Sequence, residues 1–217
     1  MGQWTEHVAP RIVLLLCGAK PAREVRERVC SGLHGDTLEI GFGAGLSIPF
    51  YPPAVTRVWA VDPSATARKL AAERIAASTI PIEFPCTDAQ ALRLSDGVAD
   101  SAVCMFTLCT VPDPGAALRE VYRVLKPGGF LRFAEHGHSP DPKVARWQKR
   151  IEPVQRRLIG GCHLTRRIPD LVDHAGFVID HMETYYLPRD PKISGYIYEG
   201  QATRPTIGPT GERLEPL

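Results

Sequence analysis

The sequence predicts an α/β protein built on a doubly wound, mostly parallel sheet, and three observations predict it. Strand-like and helix-like segments alternate from residue 36 to residue 136. The first of those strands runs straight into a glycine loop, Gly41-Phe42-Gly43-Ala44-Gly45. The stretch ADSAVCMFTL, residues 99–108, is apolar almost throughout, as strands covered on both faces are.

Each element has its own reason. HVAPRIVLLLCG is a short helix or an apolar lid, and PAREVRERVCSG is a helix with Pro21 at its first position, Val25 and Val29 on one face and Gly32 as its stop. DTLEIG is a short strand, followed by the glycine loop and then VTRVWAVD, an alternating strand that ends at Asp62. ATARKLAAERIAA is rich in strong helix formers. IEFPCTD is an edge or internal strand. DPGAALREVYRVLKPGG carries Leu118, Val121, Tyr122 and Leu125 in a helical stripe that KPGG ends, and FLRFAEH is the next strand.

Beyond residue 140 the alternation breaks. Val144, Trp147, Ile151, Val154 and Leu158 fall at helical spacing with lysines and arginines between them, and Pro153 is expected to kink or split that helix. Thr165 can cap a helix RRIPDLVDHA that stops at Gly176, and FVIDHMETYYL and ISGYIYEGQA form a closing pair of strands. The expected organisation is one domain over residues 1–200, with N-terminal helices in 1–35 and a helical insertion in 140–165 on the substrate side. Residues 202–217 have no period and are expected to be a disordered tail.

A net charge of +2 is too small to argue for nucleic acid, and no nucleic-acid partner is expected. The apolar run at residues 12–17 is shorter than the roughly 20 residues of a bilayer span or the about 7–15 of a secretory core, so a cytoplasmic protein is expected. None of the six cysteines falls in a CxxC or zinc-like spacing, so no metal site is expected. Most read as small buried hydrophobes, with Cys109 and Cys162 in segments that can line a site.

The glycine loop is the first chemical signal. Glycines let backbone N–H groups approach a ligand, and an acid at the end of the next strand accepts bonds from both hydroxyls of a ribose. The spacing is G-x-G-x-G, with Leu46 where a dinucleotide fingerprint would carry its third glycine. Structural alternatives stand beside this: the loop as a plain turn, Asp62 before Pro63 as a turn pair, Asp88 as a cap.

Glu39, the G-x-G-x-G loop, Asp62, Asp88-Ala89, DGVADSAVCMFTL and LREVYRVLKPGGFLRFAEH occur in the order of the class I methyltransferases that use S-adenosylmethionine, and the chain resembles that family over residues 36–200. The resemblance implies a Rossmann-like fold with a mostly parallel seven-stranded sheet, an antiparallel last strand and helices on both faces. It implies S-adenosylmethionine over Gly41, Gly43 and Gly45, with Glu39 supporting the loop. Asp62 is then assigned to the ribose, Asp88 and Ala89 to the adenine, and Thr107 to a place beside the cofactor. Phe42 departs from the small or polar residue common in that loop.

The later segments narrow the resemblance to the methyltransferase-like small-thiol S-methyltransferases of the type 11 group. Glu135-His136, Trp147, Gly161-Cys162-His163-Leu164-Thr165-Arg166 and Gly195-Tyr196 match at the corresponding places. The long hydrophobic N-terminal anchor of the membrane-bound members is not matched. The resemblance implies a small, apolar methyl acceptor, most plausibly a thiol, with His136 and His163 as base or polar wall. The alternatives are a phospholipid or small-molecule N- or O-methyltransferase and a non-catalytic cofactor-binding protein. The basic helix at 143–158 suits peripheral contact with anionic lipid.

Overall fold

The computed structural model describes residues 8–158, 161–207 and 213–214. The first seven residues of the expected N-terminal helices, and 208–212 and 215–217 of the expected tail, lie outside the described residues. Helices α1 (Ala9–Cys17) and α2 (Lys20–Cys30) lead into strand β1 (Gly35–Ile40). Then follow β2 (Val55–Val61), α3 (Ala65–Ala76), β3 (Ile82–Glu83), β4 (Ala99–Met105), α4 (Pro114–Val124) and β5 (Leu125–His136). Helices α5 (Pro142–Leu158) and α6 (Ile168–His174) precede β6 (Val178–Tyr186), β7 (Tyr196–Thr203) and a small ribbon, β8 (Thr206–Ile207) with β9 (Arg213–Leu214).

The main sheet has seven strands in the order β3-β2-β1-β4-β5-β7-β6. β1 to β5 pair in parallel, and β7 is antiparallel to both neighbours. This is the Rossmann-like arrangement the sequence predicts. The two faces carry separate cores. Leu38, Ile40, Val61, Ala102 and Cys104 pack with Leu118 and Val121 of α4 and Ile168 and Val172 of α6. Val58, Ala60, Val103 and Met105, pointing the other way, pack with Val25 and Val29 of α2 and Ala71 of α3. Alternation along each strand places helices on both faces.

The differences from the sequence reading have local causes. Between the glycine loop and β2, a stretch for which the sequence predicts no element, Pro49, Pro52 and Pro53 limit the chain to a 3₁₀ turn at Ile48–Phe50. KPGG lies inside β5, where Gly128 adopts φ +83° and the pairing with β4 slips between Ala99 and Ser101. α5 passes through Pro153 without splitting. Thr165 does not cap α6, whose N-cap is Arg167 without a side-chain bond; its hydroxyl and N–H both donate to Glu152 at 2.8 Å. β7 runs to Thr203, past the start of the expected tail, and Arg204 continues its bonds to Gly128 and Gly129.

Candidate functional site

The strand order reverses direction between β1 and β4, which opens a crevice at their C-terminal ends, where open α/β sheets bind ligands. The glycine loop leaves β1 there and Phe106-Thr107-Leu108 leaves β4. The two loops touch: a Cβ on Gly41 would stand 1.8 Å from Thr107 Oγ1, and Gly41 already adopts φ +78°. Only glycine fits that position. Above Gly43 the space is open, with nothing nearer a Cβ than Gly41 O at 3.8 Å.

A buried carboxylate supports each loop. Glu39, 3% exposed, accepts Ser47 Oγ at 2.7 Å and the Tyr51 hydroxyl, which fastens the residues after the glycine loop to the end of β1. Burial pushes its carboxyl up to about 7 despite both donors. Glu135, fully buried at the end of β5, accepts Thr107 N–H at 2.8 Å and Cys109 N–H at 3.3 Å, and Cys104 Sγ lies at 3.4 Å. Burial again raises its carboxyl to about 7. Ser47, Tyr51 and Glu135 were absent from the sequence-derived cofactor set, because no local pattern marks a side chain that reaches under a neighbouring loop.

Asp62 closes the loop from the second strand. Its Oδ2 accepts Gly43 N–H and its Oδ1 accepts Ser64 N–H, both at 2.8 Å. Asp88 is exposed and its Oδ1 accepts the N–H and side-chain amide of Gln90 at 2.9 and 3.0 Å. Those bonds hold its carboxyl below the usual carboxylate range. Ala89 is buried against the α4 side of the sheet. The structure thus joins Gly41 to Thr107 and Gly43 to Asp62, ties Glu39 to Ser47 and Tyr51, and sets Gly45 against Ile48 and Ala71, while Asp88 and Ala89 stand in the loop after β3.

The other wall comes from β5 and α5. His136 packs on Phe106 with ring centroids 4.9 Å apart, its Nδ1 shut off from solvent, and burial lowers it to about 4. At neutral pH it is an uncharged imidazole. Phe106 itself adopts φ +52°, a strained turn for a residue with a side chain. His163 donates its N–H to Cys109 O at 2.7 Å, and its Nδ1 lies 3.2 Å from Glu152. Burial and then Arg166 and Arg156 lower its imidazole below the usual value. Gln148, 1% exposed, bonds Gly137 O, Ile193 O and Ser139 N–H, and so docks α5 over the end of β5. Cys109, Cys162 and Leu164 make a small buried cluster beneath it. The hydrogen bond to Cys162, followed by burial, raises the Cys109 thiol well above its usual value.

A cleft of about 470 Å³ lined by Pro169, Asp173, His174 and Phe177 lies beside α6 and the start of β6. Because β6 begins opposite Thr203 and Phe130, that cleft is at the far edge of the sheet from the glycine loop.

The methyltransferase domain family matches residues 38–133, which hold the end of β1, the glycine loop, Asp62, Asp88 and Thr107. Thiol S-methyltransferase TMT1B of Rattus norvegicus is 36% identical over 167 residues, covering 73% of this chain and 68% of the relative. The chain belongs to the S-adenosylmethionine-dependent class I methyltransferases of the type 11 group. Thiol S-methyltransferase TMT1A of Homo sapiens is 34% identical over 170 residues, with the same two coverages of 73% and 68%. A solved S-adenosylmethionine-dependent methyltransferase from Aquifex aeolicus superposes with TM-score 0.60 at 19% identity, covering 89% of this chain and 97% of that one. This last likeness speaks for the fold alone. As a class I methyltransferase, the protein is an enzyme whose family implies S-adenosylmethionine as methyl donor. Among the described residues, no helix is long and apolar enough to cross a membrane.

Proposed function

We propose that the protein transfers the methyl group of S-adenosylmethionine to a small, apolar thiol. The observation that carries the reading is the crevice formed where Gly41 meets Thr107, with Asp62 on one side and the cysteine and histidine wall on the other. The open space over Gly43 and the place of Asp62 at the end of the second strand suit a ribose-bearing cofactor. Gly41, Gly43 and Gly45 cradle it, Glu39 supports that cradle, Asp62 takes the ribose, Asp88 and Ala89 take the adenine, and Thr107 lies alongside. When bound, the cofactor supplies an electrophilic methyl on a sulfonium.

The chain's own task is then positioning and exclusion of water. Cys109, Cys162, Leu164 and Ile193 give the acceptor side an apolar lining, roofed by α5 through Gln148. An imidazole near 4 is a weak base for a thiol of about 8.5, and a thiol of that pKa is present only in part as thiolate at neutral pH. His136 is accordingly a polar wall. His163, tied to Glu152, orients the segment that holds Cys162.

A second reading has its own support. Trp147 is 52% exposed and Val154 58% exposed on the basic α5, a face suited to anionic lipid at a cytoplasmic membrane surface. That face favours a phospholipid amine as the runner-up acceptor.

The test is a radiolabelled methyl assay over thiols, amines, phenols and phospholipid vesicles. Label recovered on thiols supports the proposal, and label only on phospholipid amines replaces it with the second reading.

A further inference from the structure

We propose that Cys109, His136 and Cys162 form a three-ligand site for a thiophilic divalent cation of the Zn²⁺ type, with a fourth position open to the acceptor sulfur. The open position rests on the thiol reading above; the three-ligand site does not.

The residues come from three separate segments: the loop after β4, the end of β5, and the stretch between α5 and α6. Their ligand atoms, two thiol sulfurs and one ring nitrogen, lie within 4.8 Å of one another. Zinc bonds of about 2.3 Å to sulfur and about 2.0 Å to nitrogen place tetrahedral ligands roughly 3.5–3.8 Å apart. Side-chain adjustment of about 1 Å closes the cage.

The chemistry of the set is selective. Two sulfurs and an imidazole suit zinc and disfavour magnesium or calcium, which take oxygen. Two thiolates neutralise a divalent cation, so the filled site buries no net charge of its own. Three protein ligands and one open position is the pattern of catalytic rather than structural zinc.

The surroundings hold the ligands in place. Cys109 N–H is fixed by Glu135 and Cys109 O by the N–H of His163. Arg166 spans the same loop, donating to the carbonyls of Leu108 and Val111. The His136 ring is confined by Phe106, and its Nδ1 has neither solvent nor a hydrogen-bond partner, which is rare for a buried polar atom. A cation at the cluster gives the imidazole a partner.

Position gives the site its use. Thr107 N–H shares Glu135 with Cys109, and Thr107 abuts Gly41, so the cluster and the glycine loop flank one crevice. When an acceptor R–SH takes the open position, its S–H bond breaks, a sulfur–metal bond forms and the proton passes to solvent. The sulfur is then held as a thiolate at neutral pH.

The experiment uses the full chain, reduced with a phosphine, stripped with chelator and titrated with Co²⁺ without S-adenosylmethionine. One equivalent is expected to give tetrahedral d–d bands and a thiolate-to-metal band that Zn²⁺ abolishes. Cys109→Ser and Cys162→Ser are each expected to lose about half of the thiolate band. Addition of 2-mercaptoethanol is expected to strengthen it. In the unaltered protein, Zn²⁺ should protect both thiols from alkylation, a readout that needs no variant to fold. An octahedral cobalt spectrum, an unchanged band in either serine variant, or thiols that alkylate equally with and without Zn²⁺ would overturn the site. A cobalt band insensitive to added thiol would overturn the open position. Intact cobalt bands without methyl transfer to any thiol would refute the proposed function while the three-ligand site stands.

Discussion

Gly43 N–H donates to Asp62 Oδ2 at 2.8 Å, so the loop after the first strand is fastened to the end of the second. One carboxylate therefore shapes the glycine loop, and it is the group the proposal assigns to the ribose.

Replacing Asp62 should affect both tasks. Asp62→Ala is expected to weaken S-adenosylmethionine binding at least about tenfold, since a lost charge-assisted bond is worth roughly 1.5–3 kcal/mol. Calorimetric titration reads it. Undiminished affinity would mean that the ribose lies elsewhere.

Gly41→Ala tests the contact between the two loops. A Cβ there meets Thr107 Oγ1 at 1.8 Å on a backbone at φ +78°. Loss of about 2 kcal/mol or more of stability in urea, together with weakened cofactor binding, is the expected outcome.

Glu39 predicts a pH dependence. Its folded-state value of about 7 lies above the ordinary 4.5, so between those values the native state holds a proton that the unfolded chain has released. Stability from this group therefore falls as pH rises through that window, by on the order of 3 kcal/mol in total. Urea unfolding at pH 5 and pH 8 should show a smaller loss in Glu39→Gln than in the wild type, the remainder including Glu135, whose carboxyl is raised to the same value. Tyr51→Phe removes one donor to the carboxylate and should steepen the loss.

Trp147 tests the lipid-facing surface. It is half exposed beneath Arg150, so Trp147→Ala should change stability by less than about 0.5 kcal/mol. Cosedimentation with anionic vesicles should nevertheless fall several-fold if α5 meets lipid, and unchanged cosedimentation would remove that contact.

Much of the fold was legible because its signals are local. Strand alternation, the Pro21 start and the Gly176 stop all act within a few residues. The effect of proline depended on context: three prolines hold the chain after Gly45 to a 3₁₀ turn, whereas α5 runs through Pro153 without splitting. Tertiary bonds made the second case, since Gln148 and Glu152 pin the helix just ahead of the proline. The glycine loop and Asp62 were visible as a motif. Their supports, Ser47, Tyr51 and Glu135, and the meeting of Cys109, His136 and Cys162 depend on the sheet bringing distant segments to one edge, which no spacing along the chain encodes.

The most direct measurement is transfer of a radiolabelled methyl group from S-adenosylmethionine to a small apolar thiol by the purified full chain, compared with amines and phenols of similar size. The account predicts label on the thiol, lost in Asp62→Ala. Binding of S-adenosylmethionine with label on an amine or a phenol and none on any thiol would contradict it.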